Sequence, residues 1–146
     1  MNPTNVYRET AIRGAGPVRL VVLLYEQMIE DLRQAVNAIK HNQIELRTNK
    51  INHAISVIGY LQSSLNKNAG GKVALNLEHF YQQLRANLAK AQFSVSQLIL
   101  SQQITDLLVV REAWSEVERA ETPAAPTKPV ALQADAAPSA RRSFAG

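Results

Sequence analysis

Residues 61–91 read LQSSLNKNAGGKVALNLEHFYQQLRANLAKA. An apolar helical pattern ends at Leu65, a polar break closed by Gly70 and Gly71 follows, and a second helical pattern starts at Val73. Glycine suits the left-handed backbone of a helix C-terminus or turn, whereas inside a helix it costs about 1 kcal/mol. The stretch therefore predicts two long helices folded back on one another as an antiparallel hairpin.

Both arms of this hairpin carry more apolar surface than one seam needs. On the incoming arm Ile44, Ile51, Ala54, Ile58, Leu61 and Leu65 follow seven-residue spacing and make one stripe. Leu46, Val57 and Tyr60 are assigned to roughly the other side, from the ~100° of rotation per residue. On the outgoing arm Ala74, Leu77, Phe80, Tyr81, Leu84, Leu88 and Ala91 form the main stripe, and Leu75, Ala86, Ala89 and Phe93 a second. A two-sided helix is either the centre of a larger bundle or the wall of a groove awaiting a partner. For any single residue the bundle interior is the commoner explanation, since isolated exposed apolar side chains are ordinary.

Working outward, residues 1–16 show no sustained period and contain Pro3, Gly14 and Gly16, which predicts an arm with Tyr7 and Ile12 as its apolar anchors. Such an arm can simply pack on the bundle as the chain enters. Pro17 suits the first turn of a helix, where its missing N–H leaves nothing unsatisfied. From there Val21, Leu24, Tyr25, Met28, Leu32, Ala35 and Ile39 recur at three and four residues, and the first helix is expected to end near His41 and Asn42. Asn42 either closes that helix or caps the next, which runs from about Ile44 to Leu65. The third is expected from about Lys72 to Gln92. Ser94 and Ser96 are candidate N-caps for a fourth, although without Gly or Pro there a continuous helix through Val95 is also open. Leu100, Ile104, Leu107, Trp114 and Val117 would supply its inner side, with Trp114 as a bundle anchor. Past Glu121 the text becomes rich in Pro and Ala and loses any core-forming period, so residues 122–146 read as a disordered tail. The fold class is all-α: an antiparallel four-helix bundle over 17–121, with an N-terminal arm and a disordered C-terminal tail.

Composition bounds what such a bundle does. The 146 residues fit one domain with a real core, and the absence of cysteine leaves neither a disulfide framework nor a thiolate zinc site. With no secretory leader pattern and no apolar run near the ~20 residues that span a bilayer, a cytoplasmic protein without membrane insertion is expected. The net charge of +4 invites nucleic acid. Its distribution argues otherwise: up to Glu121 there are 13 Lys and Arg against 11 Asp and Glu, and no basic stripe with interleaved aromatics stands out. No nucleic-acid partner is expected.

Chemistry is equally sparse. A carboxylate-bridged metal pair in a bundle is marked by Glu-x-x-His on two helices, and no Glu here has His at that spacing. His41, His53 and His79 are scattered and read as surface residues. There is no phosphate-cradling loop, no GxSxG elbow and no cysteine nucleophile. Binding is the better reading than catalysis, with no cofactor or metal.

The residues from Tyr7 to about Trp114 resemble the flagellar secretion chaperone family FliS. The opening pattern is Tyr7, Ile12, Gly14, Ala15, Gly16 and Pro17, followed by Leu20, Leu23, Leu24 and Tyr25. The middle signature is Ser64, Leu65 and Asn66, then Gly70, Gly71, Lys72, Val73 and Ala74, then Asn76, Leu77, Phe80 and Tyr81, and the C-terminal pair is Ala113 and Trp114. Order and spacing over about three quarters of the chain carry the resemblance, not any one element. Glu26 and Gln27 depart from the Asp-Gly usual in the family, Gln92 from Asn, and Val95 and Ser96 from the Asn-Asp that often breaks helices three and four.

The resemblance implies a helical bundle that holds the disordered C-terminal segment of flagellin, prevents premature polymerisation and hands the client to the flagellar export apparatus. The matching physics is helix-in-groove recognition, in which burial of apolar client residues offsets the entropy of ordering the segment. The arm is implied to cover apolar surface until the client displaces it. The expected client-binding residues are Tyr7 and Ile12 on the arm, with Val57, Tyr60, Leu75, Ala89 and Phe93 along the groove. A small helical regulator and a homo-oligomer that uses the same stripes on itself remain the alternatives.

Overall fold

The computed structural model describes residues 16–65 and 67–121. Four helices follow one another: α1 Pro17–Lys40, α2 Ile44–Ser63, α3 Lys67–Ser94 and α4 Gln97–Glu121, with no strand among the described residues. The expected arm, with Tyr7 and Ile12, and the expected tail lie outside the described residues, save for Gly16. Gly16 offers its carbonyl to Leu20 N–H at 2.9 Å, so Pro17 opens α1 where it has no N–H to lose.

Asn42 takes the first of its two possible roles. Its φ of 57° is left-handed, and Gln43 N–H reaches back to Ala38 C=O at 2.8 Å, the closing bond of a Schellman turn that ends α1. Gln43 then stands at the start of α2 without a side-chain cap bond. The same turn recurs between α3 and α4, with Val95 at φ 52° and Ser96 N–H on Ala91 C=O at 3.1 Å. The chain thus breaks at Val95. Ser96 caps α4 by accepting Ile99 N–H at 3.1 Å, whereas Ser94, the other candidate cap, lies in the last turn of α3 and donates to Lys90 C=O.

The glycine pair behaves differently from the expectation. α3 starts at Lys67, and Gly71, with φ 56° and ψ −135°, interrupts the helix after its first turn. The chain thus leaves α2 at Ser63 and re-enters helix at Lys67, ahead of the glycine pair, and the left-handed Gly71 re-aims it into the long part of α3.

The chain divides into two compact units. The larger, Tyr25–Val110, is an antiparallel bundle built from the rest of α1, all of α2 and α3 and the first part of α4. Its core takes Tyr25, Met28, Leu32 and Ala35 from α1, Ile51, Ala54, Ile58 and Leu61 from α2, Tyr81, Leu84, Leu88 and Ala91 from α3, and Leu100 and Leu107 from α4. Polar bonds fix the register of the hairpin. Gln92 of α3 accepts from Arg47 Nε at 3.1 Å and donates to Thr48 at 2.7 Å, and farther along Arg85 donates to Gln62 at 2.8 Å. As α2 runs forward its partners on α3 run backward. Gly59 makes room for the last of these bonds, since a Cβ there would lie 3.3 Å from the Arg85 guanidinium. In the smaller unit, Val18, Val22 and Leu23 are buried, Trp114 is half-buried, and Arg19 meets Glu118 at 3.5 Å.

Two expectations on α2 are corrected. Ile44, assigned to the inner stripe, is exposed, because it is the first residue of its helix and lies beyond the packed turns. Val57, assigned to the outer side, is only 8% exposed. It stands three residues after Ala54 and four before Leu61, hence on their side of the helix.

Candidate functional site

The long part of α3 has one buried and one open face. Tyr81, Leu84, Leu88 and Ala91 point into the core, as the main stripe predicts. Leu75 is 59% exposed and Phe93 is 91% exposed, with Ala86 and Ala89 exposed between them. At ~100° per residue Leu75, Ala86 and Phe93 fall within about 20° of one line, and Ala89 lies about 40° to its side. The line from Leu75 to Phe93 is about 27 Å long at 1.5 Å per residue. Two large apolar side chains thus bracket two alanines, with exposed Gln82 within about 20° of the same line, a surface on which another helix can lie.

Tyr60, 52% exposed, is on α2 and shares that helix's outward side with Leu46. It is open, as expected, on the helix that pairs with α3. Val57 is buried, so a partner would reach it only after displacing what covers it. The structure therefore brings Leu75, Ala89 and Phe93 onto one face, leaves Tyr60 exposed on α2 and puts Val57 in the core.

The sequence reading missed two polar pairs anchored in the interior, one of them reaching out to an exposed histidine. Asp31 of α1, 1% exposed, accepts from Gln27 Nε2 at 3.0 Å and lies 2.6 Å from Nδ1 of His53 on α2. Burial pushes the Asp31 carboxyl above its ordinary range, against the opposing pull of the hydrogen bonds from His53 and Gln27 and the charges of His53 and Lys50. His53 is thus not merely a surface residue. The signal was present: Asp31 sits in the row Leu24, Met28, Ala35, Ala38, where a charge breaks an apolar repeat. The second pair is Tyr25 and Tyr81, whose hydroxyls meet at 2.7 Å in the core. Burial pushes the Tyr81 phenol up to about 12, only partly countered by its bond to Tyr25.

Among the described residues no three His, Cys, Asp or Glu side chains are placed to hold a metal ion, and no helix is long and apolar enough to cross a membrane.

Comparison with known proteins gives this open face a context. The family model described as "Flagellar protein FliS" matches residues 1–121. The chain belongs to the FliS family. Among its curated relatives, the flagellar secretion chaperone FliSB of Pseudomonas aeruginosa is 33% identical over 109 residues, which cover 75% of this chain and 86% of the relative. The flagellar secretion chaperone FliS of Vibrio cholerae is 24% identical over 109 residues, covering 75% of this chain and 80% of the relative. That of Bacillus subtilis is 22% identical over 120 residues, covering 82% and 89%. The family is one of secretion chaperones, which is not an enzyme class.

Proposed function

We propose that the chain is a cytoplasmic flagellar export chaperone that binds the disordered C-terminal segment of flagellin, prevents its premature polymerisation and delivers it to the flagellar type III export apparatus. Family membership supports the class of function. The observation that supports the mode of binding is the open apolar line on α3, from Leu75 through Ala89 to Phe93. Burying a large apolar side chain is worth roughly 1.5–3 kcal/mol, while ordering a disordered segment costs about 2–5 kcal/mol. Leu75 and Phe93 together about offset that ordering. Further client contacts, Tyr60 among them, would supply net affinity. Tyr7 and Ile12 are proposed to cover apolar surface before the client arrives.

The test is calorimetric titration of the full chain with a synthetic flagellin C-terminal peptide. Leu75→Glu and Phe93→Glu are expected to weaken binding at least about tenfold, or ~1.4 kcal/mol, with near-native melting. If the folded wild-type chain ignores the peptide, the flagellin reading fails. If both variants bind it normally, the client lies on another face. Sedimentation with and without peptide separates client binding from self-association through the same surface.

A further inference from the structure

We infer that the open face of α3 selects its partner by charge as well as by apolar fit, taking an amphipathic helical segment whose apolar row is flanked by acidic residues. The inference rests on the reading of this face as the binding surface. Lys72 and Lys90 are both exposed and stand eighteen residues apart, the same interval that separates Leu75 from Phe93. At ~100° per residue both lysines fall about 60° to one side of the apolar line, and exposed His79 lies between them at about 40° on that side. The row of apolar side chains thus has a lysine on the same flank near each of its ends.

Acidic residues are nearly absent from this stretch. Between Lys72 and Ser94 there are three basic residues and one acidic, a difference that equals the whole excess of 13 basic over 11 acidic residues carried up to Glu121. The one acid, Glu78, is half-buried and accepts from Gln82 Nε2 at 2.9 Å, so it does not balance the lysines. Arg85 is turned to α2, where Gln62 accepts from it. Among the described residues neither Lys72 nor Lys90 has an ion-pair partner. A partner helix along Leu75, Ala86 and Phe93 would bring its own flank over these ammonium groups. Glu or Asp there would be attracted, and Lys or Arg repelled, which is how charge at an interface rim sets register and excludes wrong partners.

Two synthetic helical peptides of about eighteen residues, enough to span ~27 Å at 1.5 Å per residue, test this. They share one apolar row, and one carries Glu along its flanks where the other carries Lys. Each is titrated into the full chain at about 0.01 M and about 1 M ionic strength, between which the Debye length falls from ~30 to ~3 Å. The Glu peptide is expected to bind at least about tenfold more tightly at low salt, with the preference collapsing at high salt and reversing in Lys72→Glu/Lys90→Glu. Equal affinities, no binding by either peptide, or a preference unchanged in the double variant would each overturn the inference. A flagellin C-terminal peptide is then added as competitor. Displacement of the Glu peptide supports both readings, whereas a flagellin peptide that binds the chain without displacing it lies on another face and leaves charge selection by this face standing, and one that does not bind the chain at all overturns the flagellin reading alone.

Discussion

Val57 and Phe93 provide the sharpest contrast, because the structure assigns them opposite work and truncation to alanine separates the two. Val57 is 8% exposed, so Val57→Ala removes two buried carbon groups at about 0.8 kcal/mol each and leaves part of their space empty. A loss of about 2 kcal/mol is expected. Phe93 is 91% exposed and keeps only a tenth of its side chain from water, so of the ~3 kcal/mol for a fully buried phenylalanine only about 0.3 is at stake. For a domain of this size 1 kcal/mol moves the melting midpoint by roughly 4 °C. Followed by far-UV circular dichroism, Val57→Ala is expected to melt about 8 °C lower and Phe93→Ala within about 2 °C of the parent. Titration with the flagellin peptide should give the reverse order: at least about tenfold weaker binding for Phe93→Ala and near-parental binding for folded Val57→Ala. If Phe93→Ala melts as low as Val57→Ala, Phe93 is packed and the open face does not exist in solution. If Val57→Ala loses as much affinity while still folded, the binding surface runs along α2 instead.

Other perturbations follow from the polar pairs and the strained corner. Asp31→Asn keeps an acceptor for Gln27 and removes the buried charge. Because the Asp31 carboxyl is raised by burial, its favourable contribution is full below the ordinary carboxylate range and is lost as pH rises through the folded value; the variant's advantage in urea unfolding should therefore grow from acid toward neutral pH, and a constant difference would refute this. Tyr25→Phe leaves the Tyr81 hydroxyl without the partner seen at 2.7 Å and is expected to cost about 1–3 kcal/mol. In the parent, the Tyr81 phenol at about 12 contributes stability that is full below pH 10 and lost as pH rises through 12, so ultraviolet titration should show one tyrosine ionising only as the fold opens. Val95→Asn, relieving a β-branched residue at φ 52°, is expected to raise stability by about 0.5–1 kcal/mol, given the roughly 1–2 kcal/mol cost of left-handed backbone. Val95→Ala keeps the Cβ and serves as the control.

The helices were legible because each carries an apolar repeat longer than two turns, and three of the four expected starts fall within a residue or two of the observed ones. The outer line on α3 was legible for the same reason: Leu75, Ala86, Ala89 and Phe93 are separated by angles that put them clear of Tyr81 and Leu88. Val57 was misplaced by treating α2 as a helix with one seam. In the bundle α2 packs on two neighbours, since His53 meets Asp31 of α1 while Thr48 and Gln62 meet α3, and its buried arc widens to include Val57. Periodicity also gave the wrong weight to Gly70 and Gly71, because it registers that a helix is interrupted but not whether a turn of helix precedes the interruption.

What periodicity cannot register at all is which interfaces are satisfied and which are strained, and this bears on why α3 can hold an open face. The α1–α2 interface contains a carboxylate whose burial disfavours its charged form, and the α3–α4 corner contains a valine in left-handed backbone. Between α2 and α3 the polar groups are instead matched: Gln92 both accepts from Arg47 and donates to Thr48, and Arg85 reaches Gln62 across a glycine that leaves it room. Within the Tyr25–Val110 unit the α2–α3 hairpin is therefore the better-satisfied platform. A helix face that stays apolar and unburied needs such backing, because nothing on its outer side holds it in register. Leu75 and Phe93 sit on the helix whose inner side is fixed by both the core leucines and these bonds. Their spacing is thus set before a partner arrives, which lowers the ordering cost of binding on this side of the interface.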